Sequence, residues 1–235
     1  KTEVGDMLAL EGNLCSDKFF QGDVVFDLIE KHDIQCEAVR AGNLHMAHSA
    51  NGYRELVGRC EEWARRGATA EMLDRSTAAE KTGTKIYHGA MLDRRAGTIQ
   101  PLAYVRGLAS AALKSGAKLF TQSPATAISH DGERWTVKTP GGEVRANRLL
   151  VATGGYGEGA EQARHSTVPY FYFQCATKPL SHNILPEILP DKNGTWDTHP
   201  VLKSFRLDAE GRLIFGSIGR FDGGGNLHKG WASRK

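Results

Sequence analysis

The feature that most constrains this chain is a short apolar run that ends in glycines. Leu149, Leu150, Val151 and Ala152 follow Arg148 without a polar break, and Thr153, Gly154, Gly155, Tyr156, Gly157, Glu158 and Gly159 come next. Such a run, with no alternation of polar and apolar residues, is the pattern of a strand buried on both faces. Strands of that kind sit inside sheets covered by helices, so an α/β fold is expected. Glycines at the strand end let backbone N–H groups approach a phosphate or a ring. The spacing, however, is not GxGxxG. The following residues run quickly into Tyr170, Phe171, Tyr172 and Phe173, which leaves no room for a full crossover helix. No acidic residue about 20 positions on ends a next strand, as ribose binding requires. Three readings stand at this point: a plain strand-to-turn, a secondary contact to a dinucleotide held mainly elsewhere, or the NAD site of a dehydrogenase at Gly154–Gly159.

The rest of the chain mixes helices and strands. Residues 1–31 read as helical with a break near Gly22, and Val24, Val25, Leu28 and Ile29 recur at helical spacing. Cys36 to Ala47 reads as a strand bent at Gly42. Tyr53, Leu56, Val57, Cys60, Trp63 and Ala64 share one helical face, closed by Arg65, Arg66 and Gly67. Thr77 and Glu80 form a capping box for a short helix. Ile86 to Met91 reads as a strand. Pro101 suits the first turn of a third helix, whose buried stripe is expected at Leu102, Val105, Leu108, Ala109, Ala112 and Leu113. Short strands are expected at Lys118–Gln122, Ala125–Ser129, Arg134–Thr139, Glu143–Ala146, Val168–Thr177, Leu202–Leu207 and Arg212–Ile218, with a hairpin at Pro140, Gly141 and Gly142 and a turn at Asp208–Gly211 joining the last two. Period-two alternation turns one pair of the aromatic run Tyr170 to Phe173 to the core and the other to a cavity or solvent.

Charge and composition exclude several classes. Thirty basic against 27 acidic residues leave a net charge of +3, spread along the chain. That is too little for nucleic acid or an anionic membrane. No run of about 18 apolar residues is present, so no membrane span is expected. Cys15, Cys36, Cys60 and Cys175 lack CxxC spacing and read as free thiols in a reducing cytoplasm. His45 and His48 stand three apart, but no Asp, Glu or Cys nearby in sequence completes a ligand set, so no metal is expected. No GxSxG elbow is present either.

Three blocks in one order resemble the glycine oxidase/D-amino-acid oxidase superfamily of FAD-dependent oxidoreductases. The first runs from Gly89, Ala90, Met91, Leu92 and Asp93 through Gly97, Thr98, Ile99, Gln100 and Pro101 to Gly116 and Ala117. The second surrounds Ser123 to Ile128, and the third is Leu149 to Gly155. The resemblance implies that Ala125 lies beside the FAD adenine and that Ala152, Thr153, Gly154 and Gly155 pass near the pyrophosphate or ribitol. It implies oxidation of a primary or secondary amine, gamma-glutamylputrescine-like or an amino acid. Hydride passes to the flavin and the imine is then hydrolysed. His45, Tyr172 and Phe215 are the expected pocket residues; no catalytic base is named. The implied division is residues 1–32 and 97–167 for the FAD-binding part and 33–96 and 168–235 for a mixed, mainly antiparallel substrate sheet. Relatives open with a strand–GxGxxG–helix unit and close with a glycine-rich segment, and these 235 residues contain neither pattern. Weak or absent FAD binding by this chain alone is therefore expected, and a non-catalytic fragment is the alternative. Relatives of the sarcosine-oxidase type carry a lysine on the strand matching Leu213 to Gly216; this strand has none.

Overall fold

A computed structural model describes residues 23–154 and 172–218. The chain divides into two compact units, Lys1–Ala111 with Tyr172–Ile218, and Ala112–Phe171 with Gly219–Lys235. The expected helix at residues 1–31 is seen as α1, Asp23–Lys31; its earlier part lies outside the described residues.

The first unit is built on a seven-stranded sheet. Its strands are β1 (Asn43–Met46), β2 (Ala70–Leu73), β3 (Ala90–Asp93), β7 (Tyr172–Pro179), β8 (Gly194–Asp197), β9 (Lys203–Leu207) and β10 (Arg212–Ile218), in spatial order β2-β3-β1-β8-β9-β10-β7. Only β1 and β8 pair in parallel; every other neighbour is antiparallel. The mixed, mainly antiparallel sheet expected from the sequence is thus present.

Helix α2, Ala50–Arg65, covers one face at the β2–β3 end. Ser49 caps it: its hydroxyl accepts the Gly52 N–H at 3.1 Å. The helical stripe read from the sequence does the packing, with Leu56 buried against Ala47 and Met91 and with Tyr53, Cys60 and Trp63 around them. The opposite face carries Leu44, Met46, Leu73, Ala90 and Leu92 against Tyr87 and Ala78. Farther along that face, Leu207 and Leu213 pack on Leu189.

Several expectations are corrected. Helix α3, Arg75–Thr82, is capped by Asp74 rather than Thr77: the Asp74 carboxylate accepts the Thr77 N–H at 2.8 Å, which puts Thr77 inside the first turn. β3 starts at Ala90, not Ile86. Gly89 has φ +149, and its would-be side chain is blocked by the Leu73 carbonyl and the Tyr53 ring, so the ladder opens one residue later. β2 and β8 escaped sequence reading because four residues show no periodicity.

Helix α4, Pro101–Lys114, has the expected bounds but turns a different face inward. Of the expected stripe, Leu102, Val105 and Leu113 are more than half exposed while Leu108, Ala109 and Ala112 are partly buried, and Ala111 is the buried residue. Gly107 is the contact: a Cβ there would run into the Ile34 side chain. The small residues Gly107 and Ala111, one turn apart, let the helix approach closely.

The second unit contains a three-stranded meander of β4 (Ala127–His130), β5 (Trp135–Thr139) and β6 (Gly142–Ala146), with the expected hairpin at Pro140 and Gly141. Two expected strands do not form. Lys118–Gln122 is irregular, and so is Arg148–Ala152, where Leu150 is 77% exposed. A central strand exists only through ladder bonds on both sides, and among the described residues nothing pairs with this one. No described helix is long and apolar enough to cross a membrane.

Candidate functional site

Among the described residues, half of one sheet face of the first unit is left open. α2 covers β2 and β3, and beyond β1 the same face forms the floor of a cleft of about 350 Å³. Its floor follows from the register. Asn43 lies opposite Gly194, and His45 opposite Trp196. Trp196 lies opposite Ser204. Ser204 faces Gly216 across β9 and β10, Arg206 faces Ile214, and Gly216 faces Gln174. Because side chains alternate along a strand, these residues share one face. One row therefore reads His45, Trp196, Ser204, Gly216, Gln174.

The segment Gly97–Ile99 forms the cleft's rim. It is held by paired backbone bonds of 2.9 Å between Val39 and Thr98. Gly97 is required there, since a Cβ would collide with the Val39 carbonyl and the Phe26 ring. The Thr98 methyl lies 2.9 Å from where a Cβ on Gly194 would be, so Gly194 makes room for the rim.

Among the described residues Arg206 is the one charged side chain lining the cleft. It has no ion-pair partner among them. The other polar side chains among the described lining residues are those of Asn43, Thr98, Gln174, Thr195, Trp196 and Ser204, none of which titrates near neutrality. The cleft therefore offers a cation and neutral hydrogen-bonding groups, with no carboxylate and no general base.

His45 lies beside the cleft rather than in it. It is 4% exposed, and its ring stacks on Trp196 with centroids 3.8 Å apart and planes 11° apart. Arg59 donates to its Nδ1 at 3.3 Å. Arginine has no acceptor to offer, so the His45 proton sits on Nε2 and the ring is neutral. Burial first, then the Arg59 charge, push its pKa from 6.5 down to about 4, against a smaller opposing pull from Asp197.

His45 and His48 do not converge. The His48 Nδ1 pairs with the Thr198 hydroxyl at 2.7 Å, and its ring stacks on His199 at 4.1 Å. The Asp197 carboxylate, fully buried, accepts His199 Nδ1 at 2.8 Å and the Lys203 N–H at 3.0 Å. This network ties the β8–β9 turn to the start of α2. Burial, then the Asp197 charge, also raise Tyr87 to about 12. Among the described residues no group of three His, Cys, Asp or Glu side chains is placed to hold a metal ion.

The remaining expected site residues are scattered. Phe215 lies between Ile214 and Gly216 on β10, on the opposite face, 6.0 Å from Phe205. Tyr172 opens β7 opposite Ile218. In the second unit, Ala125 is half-buried just before β4, and Ala152, Thr153 and Gly154 are exposed and irregular. Gly155, the Gly157–Gly159 part of the glycine run, and Tyr170 and Phe171 lie outside the described residues. Sequence reasoning missed Trp196, Gln174 and Ser204. The alternation of Ser204 and Arg206 with Phe205 and Leu207 was the available signal.

Whether the second unit fits a dinucleotide can be judged from Gly154. A Cβ on Gly154 would meet nothing within 4 Å. A pyrophosphate cradle needs close backbone packing and converging N–H groups. The described residues at Ala152–Gly154 do not form one.

Comparison with known proteins follows from this fold. A family model described as FAD dependent oxidoreductase matches residues 19–232. The probable oxidoreductase OrdL of Rhizobium meliloti is 32% identical over 195 residues, covering 82% of this chain and 45% of that protein. Gamma-glutamylputrescine oxidoreductase of Escherichia coli is 29% identical over 206 residues, covering 86% and 48%. The chain spans about half the length of the curated relatives it matches. Among solved structures, glycine oxidase from Geobacillus kaustophilus aligns with a TM-score of 0.66 at 17% identity, over 91% of this chain and 57% of its own. L-proline dehydrogenase from P. horikoshii aligns with 0.69 at 16%, over 85% and 54%. These two likenesses concern the fold.

Proposed function

Because the chain belongs to the family of FAD-dependent oxidoreductases, we propose that its sheet binds the substrate of an enzyme that oxidises amines bearing a carboxylate. The observation that carries this is the charge of the cleft, where Arg206 stands without any acidic neighbour among the lining residues. A guanidinium holds a carboxylate with two parallel hydrogen bonds. The same cation disfavours a second positive charge nearby. A bare diamine is thus a poor fit, and an amino acid or a gamma-glutamylputrescine-like amine, which keeps a carboxylate, is a good one.

The cleft's chemistry also bears on the reacting nitrogen. Oxidation at the carbon beside nitrogen requires the free amine. No lining side chain can take a proton near neutral pH, so the cleft must favour the neutral amine by field and burial. Arg206 and the apolar wall of Trp196 and Ile214 both act in that direction.

In this reading residues 33–96 and 168–235 make the substrate part, and residues 1–32 and 97–167 go with the FAD-binding part. Ala125, Ala152, Thr153, Gly154 and Gly155 would make only secondary contacts to the cofactor. The open geometry at Gly154 favours a second reading for these 235 residues by themselves: a ligand-binding unit without tightly held flavin.

The test is a pair of probes of matched length. Nuclear magnetic resonance titration of the chain with 4-aminobutyrate should shift the amides around Arg206 saturably, and Arg206→Gln should abolish the effect. Tighter binding of putrescine than of 4-aminobutyrate would overturn the assignment.

A further inference from the structure

Trp196 is placed unusually for a residue of its size. One face of its indole is covered by His45 at 3.8 Å. On the other side its register partner is Ser204, and the next position across the sheet is Gly216. Neither can cover an indole. Gln174 follows on β7. Strands lie about 4.8 Å apart, so Trp196 and Gln174 stand about 14 Å apart along the row. Between them the floor carries nothing larger than a hydroxymethyl group. Arg206 rises two residues along β9 from Ser204. Among the described residues, the open indole face thus borders the same space as the cleft's one cation.

A half-buried aromatic with one bare face leaves apolar area in water unless something covers it, and flat groups stack on such faces with specific offset geometry. The wall is also held in place. His45 is locked by its burial and by the Arg59 hydrogen bond, and it lies nearly parallel to the indole. A neutral imidazole in that position supports the ring without adding a second charge to the cleft.

We propose that Trp196 is the specificity-determining wall of the cleft, selecting carboxylate ligands that carry a planar or apolar body, and that His45 is the positioning residue that holds its indole. This rests on the reading of the cleft as the substrate site, with Arg206 as the carboxylate anchor.

The experiment compares phenylacetate with acetate, which differ in the planar body and share the carboxylate. Binding is followed on the full chain by the Arg206-region amides and by the Trp196 indole Nε1–H signal. Phenylacetate should bind at least about tenfold tighter than acetate, a difference of about 1.4 kcal/mol. Trp196→Leu should remove that advantage and leave acetate binding within about twofold, and Trp196→Phe should restore most of it. His45→Phe should keep the advantage, whereas His45→Ala should reduce it and broaden the indole signal. Phenylacetate affinity that survives Trp196→Leu, with acetate still bound through Arg206, overturns this inference and leaves the cleft assignment standing. If neither probe binds a chain shown to be folded by circular dichroism, both fall together.

Discussion

Replacing His45 with phenylalanine should make the protein less sensitive to acid. His45 is buried and neutral, and its pKa is lowered from 6.5 to about 4. The sign follows from which state binds the proton. Above pH 6.5 the residue is neutral whether the chain is folded or not, and it contributes no pH dependence. As pH falls below 6.5 the unfolded chain gains a proton that the folded chain refuses. Stability therefore declines down to about pH 4 and levels off below it. At about 1.36 kcal/mol per unit, the shift corresponds to a loss of about 3 kcal/mol, most of it complete by about pH 4.5. Carboxylates titrate over part of the same range, so the informative quantity is the difference between proteins. Urea unfolding at pH 7.5 and pH 4.5, followed by fluorescence, should show the wild type losing about 2–3 kcal/mol more than His45→Phe. Phenylalanine can still stack on Trp196, so the variant should remain folded at neutral pH. Equal losses in the two proteins would show that His45 does not resist protonation, and the picture of a neutral, buried support for Trp196 would be wrong.

Other substitutions probe the frame around the cleft. Ser49→Ala removes the cap of α2 and should cost about 1 kcal/mol, read from the urea midpoint at unchanged slope; an unchanged midpoint would deny the cap its role. Gly97→Ala forces a methyl against the Val39 carbonyl and the Phe26 ring. It should cost about 1–3 kcal/mol and weaken ligand binding at the cleft rim, and a neutral result by the same unfolding and titration measurements would refute the tight fit. The purified 235-residue chain should show no flavin absorbance and no saturable FAD binding, since these residues contain no strand–GxGxxG–helix unit to hold the pyrophosphate; a yellow protein would contradict this.

The helices were legible because their signals are local. The stripe through Leu56, Cys60 and Trp63 lies on one turn-to-turn face whatever the chain packs against, and it sits where its spacing places it. The hairpin at Pro140 and Gly141 and the strand pair β9–β10 were readable for the same reason. α4 shows the limit: periodicity located the helix, but two faces of it are small or apolar, and only the contact between Gly107 and Ile34 decides which one turns inward.

The cleft was less legible still. Trp196 sits on a four-residue strand with no pattern of its own, and it becomes a wall only because β8 pairs in parallel with β1, about 150 positions earlier in the chain. Gln174 joins it from β7 through β10. Such neighbours are set by backbone hydrogen bonds between distant segments, which leave no trace in local composition.

The apolar run at Leu149 to Ala152 makes the same point in reverse. Its residues alone read as a sheet interior, and they belong to one of the three blocks that carry the family resemblance. Whether it becomes a strand is decided by the partners that supply its ladder bonds; among the described residues it has none, and Leu150 and Val151 are exposed. By itself, then, the sequence determined the helices and the hairpin, because periodicity and turn chemistry act within a few residues, and its resemblance to known relatives gave the family and the mixed sheet. Tertiary structure alone decided which side chains surround the cleft, because a strand's neighbours are chosen by pairing across the whole chain.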